Sequence, residues 1–360
     1  VEGAFWNKKV QSASAKELKE LQVKLLRAQL ERVYRSSRFY RSKFKKARVD
    51  PSRIRSLEDV EKVPFTTREE LENNYEEVLA VPRPKIATLR MTTGTMGKPL
   101  TIAHSKKDLE DIAEASARKL TYHGVTSKDV VQVTGSYGLW QGAWSVHSGA
   151  EKVGACVIPV GSGNTERQVR IIRQFNTTVL YGVTNYHFRI AEVARQLGED
   201  LSSSSLRVGL CVAEKPTSSQ IEMLKKEFGY ETVAIDYGAT EFPGFSVHCM
   251  KDSGSHHVWA DYYLVEAVNP SSLEAVEEGR KGELVVTTLQ REAFPLIRYL
   301  SRDVTTLAGF EQCACGMSHP KVGIDVDRVD FMMKVRGTPV FPSRVEFILG
   351  EFAELTGKAQ

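Results

Sequence analysis

At 360 residues the chain exceeds the usual size of one domain, leaving material for one large domain or two smaller ones and for a substantial core. Its 41% hydrophobic and 26% charged residues are the composition of a folded globular protein and argue against intrinsic disorder. Lys and Arg total 49 against 45 Asp and Glu, and the resulting +4 is too slight to indicate a nucleic-acid partner.

Apolar runs are no longer than a strand, so no membrane span is expected. Val1-Glu2-Gly3, followed by Trp6-Asn7-Lys8-Lys9, does not read as a secretory leader, and Val in place of Met at position 1 suggests that residues precede it. The five cysteines (Cys156, Cys211, Cys249, Cys313 and Cys315) are odd in number, and two lie in apolar, strand-like runs. That is not a secreted disulfide framework, and the expectation is a cytoplasmic protein.

Residues 14–47 read as one long helix. Ser14-Ala15-Lys16-Glu17 has capping-box spacing, and Leu18, Leu21, Leu25 and Ala28 share a face. Its basic end (Arg32, Arg35, Arg38, Arg41, Lys43, Lys45 and Lys46) reads as a solvated face in preference to an anion-binding patch. Pro51, Pro64, Pro82 and Pro84 then punctuate short segments. Beyond residue 90, apolar runs at 129–134, 155–160, 178–183, 206–212 and 232–235 alternate with helical stretches such as 105–122, 165–175 and 186–197. Continuous apolar strands separated by helices predict a parallel sheet covered on both faces, hence an α/β domain. After about residue 245 the pattern changes, and 258–268 and 282–289 read as strands of an appended β-rich region.

Thr92-Thr93-Gly94-Thr95-Met96-Gly97-Lys98-Pro99 has the makings of a polyphosphate loop: glycines allow close backbone approach, hydroxyls and N–H groups surround oxygens, and Lys98 adds charge. It is not a Walker A loop, since the glycine spacing differs and Pro99 follows the lysine. Alone it could equally be a surface turn. Tyr237-Gly238-Ala239-Thr240-Glu241 follows a strand, where a parallel sheet places ligands. Ile297-Arg298-Tyr299-Leu300-Ser301-Arg302-Asp303 and Arg328-Val329-Asp330 with Val335-Arg336-Gly337 come later.

In this order, the motifs resemble those of the adenylate-forming superfamily, and the finer resemblance is to the phenylacetate–CoA ligase family. Supporting text includes Ser56-Leu57-Glu58-Asp59, Val63-Pro64-Phe65-Thr66-Thr67, Gly161-Ser162-Gly163-Asn164-Thr165-Glu166-Arg167-Gln168, Ala213-Glu214-Lys215-Pro216 and Phe294-Pro295-Leu296-Ile297-Arg298-Tyr299. It extends from about Trp6 to Glu346.

The resemblance implies ATP-dependent activation of an aryl or arylacetic acid to an acyl-adenylate, followed by transfer to CoA. Thr92, Thr93, Gly94, Thr95, Gly97 and Lys98 would hold the β- and γ-phosphates, with Met96 where a threonine is commoner. Tyr237 would stack on adenine, with Ala213, Glu214 and Gly238 at its edges; Thr240 would meet the α-phosphate, Glu241 would hold Mg²⁺ and Asp303 the ribose. Arg328 would lie near the nucleotide, and Arg302 stands where Gly is usual. Tyr137, Gly138, Leu139, Trp140 and Gly142, helped by Ala213 and Phe242, would line a flat apolar slot for the acid, although Trp140 and Trp144 read equally well as plain core.

Cys313-Ala314-Cys315-Gly316 puts two thiols on one tight turn, and Cys249 precedes His256-His257. Three Cys and one His form a closed tetrahedral set, and the related ligases resemble this, so Cys249, His257, Cys313 and Cys315 are expected to hold a structural Zn²⁺, with His319 in reserve. The alternative is a reduced, metal-free hairpin.

The expected organisation is an adenylation domain over 1–327, with a helical segment 1–60 and a β-rich subdomain 245–327. Residues 328–360 would be the hinge and the start of a small C-terminal domain, mostly absent, whose catalytic lysine has no candidate here. Asp330-Phe331 stands where two acids are common, and Pro339 replaces a usual Asn. Family members are often homodimers. Two other functions stay open: an adenylating synthetase serving a phenolic deazaflavin coenzyme or a carrier protein, and a catalytically weak nucleotide-binding protein.

Overall fold

The computed structural model describes residues 4–92, 99–331, 333–335 and 338–340. The N-terminal part is helical: α1 (Lys8–Gln11), α2 (Ala15–Ser36), α3 (Arg38–Lys46), α4 (Arg68–Asn73) and α5 (Tyr75–Val78). A hairpin of β1 (Ile86–Met91) and β2 (Thr101–Ser105) follows, then α6 (Lys106–Tyr122), β3 (Val130–Val133), α7 (Gln141–Val153), β4 (Cys156–Ile158) and α8 (Thr165–Gln174). The α/β part finishes with β5 (Val179–Val183), α9 (Thr184–Gln196), β6 (Val208–Val212), α10 (Ser218–Phe228) and β7 (Thr232–Asp236). The β-rich part comprises β8 (Ser246–His248), β9 (Ser255–Val258), β10 (Tyr263–Val268), β11 (Lys281–Thr288), β12 (Tyr299–Ala308), β13 (Lys321–Gly323) and β14 (Asp327–Arg328).

The expected α/β architecture is present. Strands β3–β7 form one parallel sheet in the order β4-β3-β5-β6-β7. Alternation along the strands divides the core between its faces: Val131, Val133, Tyr181, Leu210 and Ala234 pack on one, Leu180, Cys211 and Val233 on the other. The second sheet is antiparallel, ordered β10-β11-β12-β13-β9-β8, with β14 added to β12.

Three expectations need correction. The long N-terminal helix is two, because Ser37 leaves the helical path (φ −102°, ψ 123°) and its side chain caps α3 by accepting from Tyr40 N. The buried stripe of α2 is Leu18, Gln22, Leu26, Gln29, Leu30 and Val33, offset from the predicted face, and Ala28 is exposed. Two glutamines serve in that stripe because they donate to main-chain carbonyls across the interface, Gln22 to Tyr263 and Gln29 to Arg291. The expected strand over 258–268 is interrupted at 259–262, where Trp259 is fully buried and Arg118 Nη1 donates to both carboxylate oxygens of Asp261 (2.9 Å to each). Of the basic helix end, Arg35, Arg38, Lys45 and Lys46 are exposed as expected, whereas Arg32 is spent on the Arg291 and Glu292 carbonyls, Arg41 on those of Tyr34 and Arg35, and Lys43 on Glu70.

The segment after Pro64 is stitched onto β12. Thr66 N donates to Arg298 O (2.8 Å), Leu300 N donates to Thr66 O (3.0 Å), and Thr66 Oγ1 donates to Ile297 O (2.7 Å). Arg298 adopts φ +46° and is held there by Glu266, by the carbonyls of Glu61 and Val63, and by stacking 3.9 Å over the Phe65 ring. Nearby, the fully buried Tyr40 hydroxyl donates to Pro295 O (3.0 Å) and accepts from Ile297 N (3.2 Å). Tyr40→Phe leaves that amide unpaired, and urea unfolding is expected to show a loss of about 1–3 kcal/mol.

Candidate active site

β7 ends at Asp236, and Tyr237-Gly238-Ala239-Thr240-Glu241 carries the chain past the carboxyl edge of the parallel sheet, where open α/β sheets hold their ligands. The Tyr237 ring lies edge-on to Phe245 (centroids 5.6 Å) and tilted to His256 (5.9 Å). Its hydroxyl donates to Asp303 Oδ2 at 2.9 Å. Asp303 lies opposite Arg328 in the β12–β14 ladder, and Arg328 donates to Asp303 Oδ1 at 2.7 Å. The same guanidinium reaches Asp330 Oδ2 at 2.9 Å, whose other oxygen accepts from Arg302 Nε at 3.0 Å. Burial pushes the Asp303 carboxyl above its ordinary range while Arg328 pulls it back. Arg302 sits at φ +67°, in the region glycine favours, which is the physical reason a glycine is expected there. Its bond to Asp330, and its amide's bond to Glu283 Oε1 (3.0 Å), hold it in place.

Glu241 is 7% exposed. Its Oε1 accepts from Tyr299 (3.3 Å) and from Arg68 Nη1 (3.4 Å), and Arg291 donates to its main-chain carbonyl. Burial raises its carboxyl pKa, and Arg68 is among the charges that oppose the rise. Arg68 Nη2 also donates to Thr92 Oγ1 at 2.7 Å, which in turn accepts from Leu100 N (3.0 Å). One guanidinium therefore joins the stem of the Thr/Gly loop to the buried carboxylate. Thr93, Gly94, Thr95, Gly97 and Lys98 lie outside the described residues. Sequence reasoning missed Arg68. The available signal was the capping box Thr67–Glu70, which puts Arg68 in the first turn of α4, directly after the Val63–Thr67 text.

Ala213, one residue past β6, has φ +70° and an exposed side chain. Glu214 is committed to its neighbours, accepting from Thr184 Oγ1 on its carbonyl (2.6 Å) and from Asn185 N on its carboxylate (3.3 Å). Tyr137, Gly138, Leu139 and Trp140 form the loop between β3 and α7, and Gly142 lies within α7, a helix the sequence pattern did not reveal. Met91 N donates to Leu139 O at 3.0 Å, tying this loop to the strand that leads to Thr92. Trp144 Nε1 donates to Tyr137 O (2.7 Å) and its ring is edge-on to Tyr137 (5.0 Å). The Trp140 ring fills space left by two glycines: a Cβ on Gly142 would lie 2.3 Å from it and one on Gly135 2.7 Å. It is thus a fixed, partly buried wall. Phe242, expected to help line the slot, is 1% exposed and packs in the core against Phe245.

Cys249, His257, Cys313 and Cys315 converge, with all four donor atoms within 4.8 Å of one another. Cys249 and Cys313 sulfurs are 3.7 Å apart, and Cys315 Sγ is 3.2 Å from His257 Nε2. A tetrahedron with metal–sulfur bonds of about 2.3 Å has edges of about 3.8 Å, so the donors present fit a metal ion. His257 Nδ1 donates to His319 O (3.0 Å), which leaves Nε2 free to ligate. His319 is not a reserve ligand: its Nδ1 accepts from Ala260 N (3.1 Å) and its Nε2 donates to Val10 O (3.1 Å). The N-terminus packs on this corner, with the Phe5 ring against Gly316.

The Gly142–Trp140 contact yields a direct test. Gly142→Ala forces the indole to move, with an expected loss of about 1–3 kcal/mol in urea unfolding and a shift in tryptophan emission.

Comparison with known proteins gives the family and the fold. The family described as AMP-binding enzyme matches residues 9–290. The phenylacetate-coenzyme A ligase of Thermus thermophilus is 35% identical over 348 residues, covering 96% of this chain and 78% of that protein. Its Escherichia coli counterpart is 35% identical over 353 residues, covering 96% and 79%. Among solved structures, 2-hydroxyisobutyryl-CoA ligase in an open conformation superposes with a TM-score of 0.89 at 24% identity, covering 99% of this chain and 85% of that one, a likeness of fold. The chain belongs to the AMP-binding enzyme family.

Proposed function

We propose that the protein is an AMP-forming acid–CoA ligase that activates an aryl or arylacetic acid, as the names of its relatives suggest. The observation that carries this is the Arg68 bridge between Thr92 and Glu241, which puts a cation between the phosphate-loop stem and a buried carboxylate. A carboxylate oxygen of the acid attacks the α-phosphorus of ATP and the bond to pyrophosphate breaks. The CoA thiolate then attacks the acyl carbonyl and AMP leaves.

In this scheme Tyr237 stacks on adenine beside Ala213, Glu214 and Gly238, and Asp303 accepts from the ribose. Thr240 meets the α-phosphate, Lys98 and the Thr92–Gly97 loop hold the outer phosphates, and Arg328 positions Asp303. Glu241 would hold Mg²⁺, which supplies charge screening on the triphosphate when bound. Tyr137, Gly138, Trp140 and Gly142 form the acid slot. Residues 1–327 make the adenylating unit and Asp330 stands at its hinge. We assign Zn²⁺ to Cys249, His257, Cys313 and Cys315 as a staple, since four protein ligands leave no open coordination position.

Full-length protein should catalyse acid-dependent ATP–pyrophosphate exchange and CoA-dependent AMP release; absence of both sinks the ligase assignment. In the same assay Arg68→Ala should lower exchange roughly tenfold, the scale of one charge-assisted contact of about 1.4 kcal/mol. Elemental analysis should find zinc at one ion per chain in the purified protein. Its removal by a chelator should lower Tm by several degrees (about 1–2 °C per kcal/mol at this size).

A further inference from the structure

We propose that His147, braced by Glu151, is a positioning residue of the acid slot that holds the Tyr137 side chain by its hydroxyl. This rests on the ligase assignment above and names a residue that acts through the wall of that slot.

Topology puts Tyr137 where a sheet of this kind holds its ligand. In the order β4-β3-β5-β6-β7 the chain leaves β3 to one side for β4 and builds β5, β6 and β7 on the other. The carboxyl ends of β3 and β5 therefore flank the reversal, which is where open α/β sheets bind ligands. Tyr137 is half-buried in the loop that follows β3, between exposed Ser136 and exposed Gly138. Its ring also nears the loop after β4, where a Cβ on Gly161 would lie 3.9 Å from Tyr137 Cδ2.

Three side chains form a line that ends on this ring. Glu151 Oε1 lies 3.1 Å from His147 Nε2, one turn away on α7, and His147 Nδ1 lies 3.1 Å from the Tyr137 hydroxyl. An ionised carboxylate only accepts, so Nε2 carries the imidazole proton and Nδ1 is left to accept from Tyr137. Burial and the Glu151 charge push the Tyr137 phenol above its ordinary value, which keeps it the donor. The phenol proton is thus spent on His147, and the oxygen can only accept from a bound acid. Trp144 fixes the main-chain carbonyl of Tyr137 and packs edge-on to its ring. Among the described residues, only His147 bonds the hydroxyl. The His147 and Glu151 side chains are 21% and 63% exposed, so substitutions there leave the core intact.

The test is steady-state kinetics of full-length protein with phenylacetate and with benzoate, varying acid and ATP separately. Asn carries its oxygen on Cγ, as His carries Nδ1, whereas Gln carries it one bond further out, as His carries Nε2. His147→Gln should therefore raise KM for the acid about tenfold, the scale of one lost hydrogen bond, with kcat and KM for ATP within about twofold. His147→Asn should keep KM for the acid within about threefold of wild type. Tyr137→Phe should raise it as His147→Gln does, and the double variant should show no further rise. Equal effects of Gln and Asn, effects that add to that of Tyr137→Phe, or a loss confined to kcat overturn the role of His147 and leave the ligase assignment standing. A wild type that releases pyrophosphate with neither acid overturns both.

Discussion

A carboxylate withdrawn from water organises the site. Glu241 is buried at the end of the parallel sheet, and an unpaired charge there would be expensive. Its counter-groups come from two other parts of the chain: Arg68 from the first turn of α4, and the Tyr299 hydroxyl from β12. Arg68 reaches it because Thr66 is bonded into the Arg298–Leu300 backbone. The αL turn at Arg298, the Phe65 stack and the Glu266 pair thus act on the same point. Moving any of these segments shifts the cation that faces the carboxylate.

From Tyr237 a second chain of contacts runs outward through Asp303, Arg328 and Asp330 to Arg302. Both Asp303 oxygens are engaged, one by a phenol and one by a guanidinium, yet each keeps a lone pair for a further donor. The residue proposed to meet the ribose is therefore already oriented. The segment after β14 is fastened by charge to the same β12 strand that carries it.

The parallel sheet was legible because its strands are short apolar runs separated by amphipathic helices. The helix α7 was not: Gly142, Gly149, Ser145 and Ser148 give Gln141–Val153 weak intrinsic propensity, and packing supplies the rest. Gly149 shows how, since a Cβ there would lie 2.5 Å from Ser116 on α6, so only a residue without one permits that approach. The stripe of α2 was misjudged because Gln22 and Gln29 are buried by partners over 200 residues away. Tyr237, Asp303, Arg328 and the Cys/His set could be named from local text, whereas Arg68 owes its role to where Thr66 docks. The choice of His257 over His319 depended on which imidazole nitrogens the fold had already taken.

The hydrogen bond between His319 and Val10 spans 309 residues, and Phe5 rests on the same hairpin. During synthesis the first helical turn emerges long before the hairpin it must dock against exists. Val10 therefore waits while most of the polypeptide is made, and that corner can close only after the hairpin bearing Cys313 and Cys315 has been synthesised.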